Sequence, residues 1–262
     1  MSGANGIGQA WPSPASGARA TGAHEVLVAN DREEHAALAA ELLGRAIEEA
    51  ASARGVARVA LSGGSTPSDT YRRLATLGLP WERVEWYWVD ERAVAPDNAR
   101  SNYGAAARDL GLEGGLRGRA FRMIGEAGAL SGAAAAYEAL LRRAFGVASA
   151  AAFDAMTLGV GDDGHTASLF PGIGAVGIDD RLVAAIEEQP AKGLEARITL
   201  TAPVLIEARL VVVLARGAAK RALIEAARGA GPEDEVPSRL LQRAKGRVAW
   251  VLDRDAAPTP TP

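Results

Sequence analysis

Short apolar runs alternate with helix-like segments along most of this chain, and the alternation restricts the fold more than any other feature. Strand-like runs occupy residues 25–29, 56–61, 84–89, 121–124, 153–158, 182–186, 198–201, 210–215 and 248–252. Helix-like segments occupy residues 33–54, 67 to about 76, 102–110, 131–145, 218–227 and 238–242. Strands that alternate with helices form βαβ units, whose strands lie parallel in one sheet. The pattern therefore predicts one α/β domain with a largely parallel sheet.

The two ends of the chain differ from the rest in composition. Residues 1–22 are rich in Gly, Ala, Ser and Pro, and residues 256–262 read AAPTPTP. Such segments bury too little apolar surface to fold, so we expect a disordered N-terminal tail, a domain over residues 23–255 and a flexible C-terminal tail. Residues 1–22 also lack the continuous apolar core of a secretory signal.

Overall composition argues against several classes of partner. The chain has 262 residues and a net charge of -3, and it contains no dense run of Lys and Arg, so we predict no nucleic-acid binding. The longest strongly apolar run, residues 210–215, is too short to cross a membrane. There are no cysteines, which excludes disulfides, thiolate metal sites and a cysteine nucleophile, and which suits a cytoplasmic protein.

Polar clusters follow three of the predicted strands. They cover residues 62–67, 90–92 and 161–165. The carboxyl ends of parallel strands meet at one edge of a sheet, and ligands of open α/β proteins bind beyond that edge. The three clusters are therefore expected to converge on one site.

The loop at residues 62–67, SGGSTP, is a candidate anion site. Gly63 and Gly64 let backbone N–H groups approach a ligand, Ser65 and Thr66 can cap the next helix, and Pro67 suits its first turn. A phosphate is stabilised at a helix N-terminus by free N–H groups and by the helix dipole. No Gly-Lys-Ser/Thr follows, so a nucleoside triphosphate is not expected. A plain helix cap explains this loop equally well.

The stretch FDAMTLGVGDDGHTASLFPG, residues 153–172, runs from an apolar strand into a glycine-rich turn. Gly159, Gly161 and Gly164 match the dinucleotide pattern G-x-G-x-x-G, and Asp179 lies about twenty residues beyond. We reject a dinucleotide site because two aspartates inside the turn would repel a pyrophosphate.

A short helix is expected after this turn, capped by Thr166 and ended by Pro171 and Gly172. A helix of barely one turn offers little dipole to an anion, which is a second argument against a dinucleotide. A tight connection with polar surface residues would explain the glycines, but it explains less well a histidine among two aspartates at a strand end.

His165 is the best candidate for a general base, because an ordinary histidine pKa of roughly 6.5 suits proton transfer near neutral pH. Asp163 or Asp162 could orient the imidazole and stabilise its charged form. These three side chains could also hold a metal, but catalytic zinc sites use more histidines and no second histidine is nearby. We therefore predict no metal. The other two histidines are interpreted as a solvated helix residue, His35, and a strand-edge residue, His24.

Several cationic side chains are candidates for phosphate binding. Arg92 closes the cluster at residues 90–92, Arg197 precedes a predicted strand, and Lys220 and Arg221 lie at the start of a predicted helix. Arg92 could clamp a phosphate or neutralise its acidic neighbours. By itself, a surface ion pair explains Arg92 at least as well, and each of the other cations is more often a solvated charge.

Six ordered blocks of the chain resemble one enzyme family. The blocks are SGGSTP at 62–67, WVDER at 88–92, PDNARSNYG at 96–104, GVGDDGHTASLFPG at 159–172, RITLTAPVL at 197–205 and GAAKRALI at 217–224. They occur in the order found in 6-phosphogluconolactonases, within the glucosamine-6-phosphate deaminase/6-phosphogluconolactonase family. The resemblance covers roughly residues 24–255.

The resemblance implies an open α/β/α fold similar to glucosamine-6-phosphate deaminase and ribose-5-phosphate isomerase. It implies hydrolysis of 6-phosphogluconolactone to 6-phosphogluconate, the second step of the oxidative pentose phosphate pathway, without a cofactor. It also implies that His165 acts as the base, with Asp163 beside it. The implied substrate-binding residues are Ser62, Gly63, Gly64, Ser65, Thr66, Asp90, Arg92, Asn102, Gly161, Arg197 and Lys220. We further expect a monomer in the cytoplasm.

Two other functions remain as alternatives. In the deaminases a tyrosine stands where this chain has Arg92, and the residues after the histidine differ from Thr166-Ala167-Ser168 here, which favours the lactonase. The loop at residues 189–194 is less proline-rich than the lactonase pattern, so its contacts are not carried over. A non-catalytic sugar-phosphate sensor would need a DNA-binding helix pair, which the tail at residues 1–22 does not supply.

Overall fold

The computed structural model describes residues 23–115, 117–146 and 151–259. Its strands are β1 His24–Ala29, β2 Ala57–Leu61, β3 Val84–Trp88, β4 Asp90–Arg92, β5 Arg119–Ala120, β6 Ala155–Gly159, β7 Val183–Ile186, β8 Arg197–Leu200, β9 Leu210–Ala215 and β10 Arg247–Asp253. Its α-helices are α1 Arg32–Arg54, α2 Ser65–Leu74, α3 Asn102–Leu110, α4 Leu130–Phe145, α5 Ala202–Glu207 and α6 Arg221–Arg228. The predicted N-terminal tail, residues 1–22, lies outside the described residues, as do residues 260–262 of the tail predicted at 256–262.

Seven strands form one sheet in the order β1-β10-β9-β6-β2-β3-β5, and every pair of neighbours is parallel. The helices cover both faces, because one buried cluster contains residues of α1, α2 and α3 and the other contains residues of α4, α5 and α6. The prediction of an open α/β/α fold with a largely parallel sheet is confirmed.

The side chains of β9 show why these strands are almost wholly apolar. Val211 and Val213 enter one buried cluster, whereas Val212 and Leu214 enter the other. Successive side chains of a strand point to opposite faces, so a strand covered on both faces needs apolar residues at every position. This burial holds the carboxyl ends of the strands in fixed positions beneath the loops that follow them.

A second, smaller sheet has the order β4-β8-β7 and is antiparallel. Strand β4 follows β3 after a single residue, Val89, whose backbone N–H donates to Leu61 at 2.9 Å. The Leu200 N–H in turn donates to the Val89 carbonyl at 2.8 Å. The small sheet is thus fastened to the carboxyl edge of the large one.

Local signals set both ends of α1 and the start of α3. Asp31 caps α1 by accepting a hydrogen bond from the Glu34 N–H at 2.8 Å, and Gly55 ends it with a φ of 77°. Ser101 caps α3 by accepting from the Gly104 N–H at 3.0 Å. Capping side chains and left-handed glycines satisfy the backbone groups that a helix end leaves unpaired.

The prediction that His35 is solvated is wrong, because its side chain is fully buried under the sheet. The ring Nε2 lies 2.9 Å from the Val251 carbonyl of β10. Burial lowers the pKa of His35, since the charged imidazolium would lose its hydration. His24 lies on β1, an edge strand, as predicted.

Two further local predictions are wrong, and a third is met by a different type of helix. The strand expected at residues 121–124 is absent from the described chain, which pairs Arg119–Ala120 with β3 instead. No helix follows Thr166 in this described segment, where Ala167 adopts a φ of 49° and Thr166 forms a bridge to Leu169. The helix expected at residues 238–242 is a 3₁₀ helix, Pro237–Arg243.

Packing of the domain extends past the predicted boundary at residue 255. Ala256 is fully buried, and its N–H donates to Asp253 at 2.8 Å. Among the described residues, no helix has both the length and the apolar character needed to span a membrane.

Candidate active site

A cleft of about 270 Å³ opens where the three polar clusters meet at the carboxyl edge of the large sheet. It is lined by Ser62, Gly63, Gly64, Ser65, Thr66, Pro67, Asp90, Arg92, Asn102, Gly159, Val160, Gly161, His165, Ala167, Arg197, Leu214, Ala215, Arg216 and Lys220. The structure therefore brings together all the predicted substrate-binding residues and His165. Asp163 reaches the cleft through its contact with His165.

The glycine loop forms the N-terminus of α2. Gly64 is the N-cap residue with a φ of 113°, a conformation that favours glycine, and α2 begins at Ser65. The predicted capping by Ser65 or Thr66 is wrong, because no described side chain caps this helix. A Cβ at Gly63 would overlap the amide of Asn102, so the loop must approach that side chain closely.

Ser62 is buried and serves to fasten this loop to β6. Its N–H donates to the Thr157 hydroxyl at 2.8 Å, and its carbonyl accepts from the Tyr71 hydroxyl at 2.7 Å. Burial raises the pKa of Tyr71 far above its ordinary value, so the phenol remains a neutral donor. The loop between β2 and α2 is thus held to the neighbouring strand.

His165 and Asp163 form a hydrogen-bonded pair at the edge of the cleft. The His165 Nδ1 lies 2.6 Å from Asp163 Oδ1, which also accepts from the His165 backbone N–H at 3.0 Å. A Cβ at Gly161 would overlap the His165 ring, so this ring position requires glycine there. The imidazole also packs on Phe170, with ring centroids 4.5 Å apart.

The two aspartates of this turn have different partners. Burial acts to raise the pKa of Asp163, but the His165 N–H and the nearby imidazole outweigh it and hold the pKa below its ordinary value. Asp162 instead accepts from Lys220 Nζ at 2.5 Å, and this bond lowers the Asp162 pKa. Lys220 also donates to the Val160 carbonyl at 2.7 Å. Asp163, rather than Asp162, therefore orients His165.

Two arginines face each other across the small sheet. Arg92 of β4 and Arg197 of β8 are direct partners in the antiparallel register, a placement in which like charges repel. The Nε of each is buried and has no hydrogen-bond partner among the described residues. Arg197 lies over the ring of Phe170 at 5.2 Å, and burial lowers its pKa. An anion between the two guanidinium groups would satisfy both.

Asp90 is the buried carboxylate of the cleft. It accepts from Ser168 Oγ at 2.6 Å and from Asn102 Nδ2 at 3.1 Å, and Arg197 lies 3.7 Å away. These contacts join β4, α3 and the histidine loop. Asp90 thus positions the polar side chains around the cleft.

Glu91, which follows Asp90 in the chain, has a structural role. Its side chain is 2% exposed and accepts four hydrogen bonds, at 2.8 Å from the N–H groups of Arg92, Asn102 and Tyr103 and at 2.9 Å from Ser101. Burial raises the pKa of Glu91, and the four donors oppose that rise. The carboxylate therefore fixes the start of α3 and with it Asn102.

In the described ranges, no group of three or more His, Cys, Asp and Glu side chains is placed to hold a metal ion.

Comparison with known proteins identifies the family. A family model described as glucosamine-6-phosphate isomerases/6-phosphogluconolactonase matches residues 30–250. The chain belongs to this family. A 6-phosphogluconolactonase of Synechocystis is 37% identical over 214 residues, which are 80% of this chain and 87% of that protein. The human 6-phosphogluconolactonase is 36% identical over 227 residues, 85% of this chain and 88% of the relative.

Solved structures of the family agree with the fold. The 6-phosphogluconolactonase from Trypanosoma cruzi superposes with a TM-score of 0.80 at 28% identity, over 90% of this chain and 97% of that one.

Within this family fold, some residues in and around the cleft were not assigned by sequence reasoning. Arg216 follows β9 directly, so the rule that ligands bind at strand ends could have identified it. Ser168 contacts Asp90 across 78 positions of sequence, and no local pattern signals such a contact. Ala167 lines the cleft in a left-handed conformation that is uncommon for residues other than glycine.

Proposed function

We propose that this chain hydrolyses 6-phosphogluconolactone to 6-phosphogluconate, as the second step of the oxidative pentose phosphate pathway. The observation that carries the proposal is the His165–Asp163 pair, with its 2.6 Å contact, at a cleft lined by a glycine loop and four cationic side chains. The relatives that share 36% and 37% identity with this chain are named 6-phosphogluconolactonases, which supports the same reaction here.

The hydrogen bond between the pair decides which ring nitrogen is the base. The lowered pKa of Asp163 keeps it ionised at neutral pH, and an ionised carboxylate only accepts hydrogen bonds. Nδ1 of His165 therefore carries the hydrogen, and Nε2 presents its lone pair. His165 can then take a proton from water, and Asp163 stabilises the resulting imidazolium.

The reaction follows from this arrangement without a covalent enzyme intermediate. The water oxygen bonds to the lactone carbonyl carbon as its proton moves to Nε2 of His165, and the carbonyl electrons move onto oxygen. When the intermediate collapses, the bond from that carbon to the ring oxygen breaks. The ring oxygen takes the proton from the imidazolium, which restores the base.

The two arginines of the small sheet stabilise the charge that develops on the carbonyl oxygen. Arg197 packs on the same Phe170 ring as His165, which places a cation beside the base, and Arg92 lies opposite it in register. Removing one such preorganised donor typically costs roughly 3–4 kcal/mol of transition-state stabilisation. The glycine loop, the N-terminus of α2 and Lys220 bind the phosphate end of the substrate.

The decisive experiment is lactone opening on freshly generated 6-phosphogluconolactone, with EDTA present and the spontaneous rate in buffer subtracted. We expect the native protein to accelerate opening and His165→Ala to lose roughly 10²–10⁴-fold in kcat. His24→Ala, a histidine remote from the cleft, is the matched control and should retain activity. Equal rates in native protein and buffer would overturn the proposal, and ammonia release from glucosamine 6-phosphate would then indicate a deaminase.

The proposal includes a monomeric enzyme that acts in the cytoplasm. Light scattering at the assay concentration tests the first part. A dimer mass that persists on dilution would contradict it.

A further inference from the structure

Arg216 is a cleft residue that the proposed mechanism does not use. It follows β9, lines the cleft together with Ser65, Thr66 and Pro67, and has a side chain that is 19% exposed. Its Nη2 lies 3.1 Å from Asp69 Oδ2, on the second turn of α2. The guanidinium is therefore held beside the helix whose N-terminus enters the cleft.

Asp69 lies at the centre of a cluster of three arginines, of which Arg216 is one. Arg32 contacts both of its oxygens, at 2.5 and 2.8 Å, and Arg72 contacts Oδ1 at 2.5 Å. Arg72 also donates to Asp109 at 2.8 Å. The hydrogen bond from Arg32, above all, lowers the pKa of Asp69, which stays ionised. Three arginines thus share two carboxylates, which leaves one net positive charge.

That excess charge is directed toward the cleft. Arg32 and Arg72 do not line it, whereas Arg216 does. The closest approach of Asp69 to Arg216 is at Nη2, and a guanidinium has five N–H donors. A fork of donors beside an uncapped helix N-terminus suits a group with several acceptor oxygens and two negative charges.

The cations of the cleft divide into two sets. Arg92 and Arg197 belong to the small sheet, whereas Arg216 and Lys220 follow β9. Only one carboxylate, Asp90, lines the described cleft, and it contacts Arg197 of the first set. Arg216 and Lys220 are paired with Asp69 and Asp162, which lie outside the described lining, so the second set faces no carboxylate of the cleft itself.

We propose that Arg216 is a specificity-determining residue that recognises the phosphate dianion of the lactone, and that Asp69 is the positioning residue that holds it there. This inference rests on the proposed function. It adds the Arg216 guanidinium to the groups proposed to bind the phosphate, which are the glycine loop, the N-terminus of α2 and Lys220. Its consequence is discrimination: Arg216 accelerates the reaction of phosphorylated lactones and has no effect on a lactone without phosphate.

The test compares 6-phosphogluconolactone with gluconolactone in native protein and Arg216→Met. We expect the variant to lose roughly 10- to 100-fold in kcat/KM on the phosphorylated lactone, mainly through KM. Its rate on gluconolactone should stay within about twofold of native, since no contact with the hydroxylated ring is removed. Asp69→Asn should give a smaller loss with the same KM signature, and Arg216→Lys should recover part of the activity.

Arg73→Gln is the matched control, because Arg73 is exposed on the same helix and does not line the cleft. It removes the same unit of charge and should leave both substrates unchanged. Equal losses in Arg73→Gln and Arg216→Met would mean that the loss comes from the change in net charge and not from a contact with the phosphate, and would overturn the inference. A loss in Arg216→Met that is the same on both lactones would overturn it as well.

A binding measurement separates this inference from the proposed function. Inorganic phosphate titrated into native protein and into Arg216→Met, followed by calorimetry without any turnover, should bind at least about tenfold more weakly to the variant. Weaker phosphate binding in a protein that opens no lactone would refute the reaction and keep the anion site. Equal phosphate affinity would refute the role of Arg216, whatever the activity.

Discussion

The two edges of the large sheet both carry arginines and acids, but they use them differently. At the amino edge, Glu85 accepts from Arg58 at 2.9 Å, from Arg119 and from the Tyr87 hydroxyl at 3.1 Å. Asp154 there lies 2.7 Å from one arginine and 3.5 Å from another, and it also accepts from a backbone N–H at 2.8 Å. The acids of the amino edge are thus surrounded by donors.

At the carboxyl edge the balance is reversed. Arg92 and Arg197 face each other, and each has a buried Nε without a partner among the described residues. Asp90, which lies 3.7 Å from Arg197, is already bonded to Ser168 and Asn102. Unpaired buried donors cost stability, and proteins retain such groups where a ligand satisfies them. The comparison indicates that the amino edge contributes to stability and the carboxyl edge to binding.

Arg197→Met gives the largest effect that this comparison predicts. We expect kcat/KM to fall by roughly 10²–10³-fold, because a donor to the developing oxyanion is lost. The thermal midpoint should not fall, because the substitution removes a repelling, incompletely bonded cation from the interior. Circular dichroism melting beside steady-state kinetics measures both. A large drop in melting temperature would show that Arg197 is structural, and the contrast between the edges would fail.

Glu91→Gln tests an acid that lies at the carboxyl edge but, like the acids of the amino edge, is surrounded by hydrogen-bond donors. An amide has only one acceptor oxygen, so two of the four donors around Glu91 would face an NH₂ group. We expect a loss of roughly 2–3 kcal/mol in the free energy of unfolding. Chemical denaturation measures it, and Glu49→Gln, at an exposed residue, is the control. An unchanged unfolding free energy would mean that the carboxylate is not needed to start α3.

Asp154→Asn should behave in the opposite way to Arg197→Met. Asparagine can keep the bond from the Arg58 N–H but loses the charge that attracts Arg54 and Arg209. Both arginines are partly exposed, so we expect a loss of only about 1–2 kcal/mol in unfolding free energy. The rate of lactone opening should stay within about twofold of native. A variant of normal stability and low activity would reverse the assignment of the two edges.

The smallest effect concerns pH and the buried His35. Its pKa is lowered in the folded state, so between that pKa and the unfolded value of about 6.5 the unfolded chain binds the additional proton. Stability is therefore complete above about pH 6.5 and falls as the pH drops below it, by roughly 1.4 kcal/mol per unit of pKa depression. Melting temperatures at pH 7.5 and 5.5 measure the slope.

His35→Gln, which retains a donor for the Val251 carbonyl, should flatten that slope. His24→Gln is needed as a companion, because burial lowers the pKa of His24 too. If neither variant changes the slope, groups other than the buried histidines cause the loss of stability.

Much of the fold and the site followed from the sequence for one physical reason. A strand covered on both faces is a continuous apolar run, as in Leu210–Ala215, and its end is marked by the first polar residue. Applied to the strands that precede residues 62, 90 and 161, this rule located the cleft. Applied also to the strand that ends at residue 215, it would have identified Arg216.

Other features could not be read from the sequence because distant contacts decide them. The burial of His35 depends on β10, which lies 216 positions away, although Ala39 and Leu43 on the same helical face gave a local hint. The expected helix after Thr166 does not form, because the segment is held by bonds such as that from the Thr166 hydroxyl to the Gly159 carbonyl at 2.9 Å. Local propensity was outweighed by tertiary hydrogen bonds.

Gly161 shows what a missing atom can determine. The imidazole of His165 occupies the space that a β-carbon at this position would fill. A single added methyl, in Gly161→Ala, would therefore displace the base while leaving the glycine loop and Arg216, which belong to other segments, in place. Such a protein would bind the lactone, which would then open only at the uncatalysed rate. This slow opening leaves time in which the bound substrate itself can be crystallised.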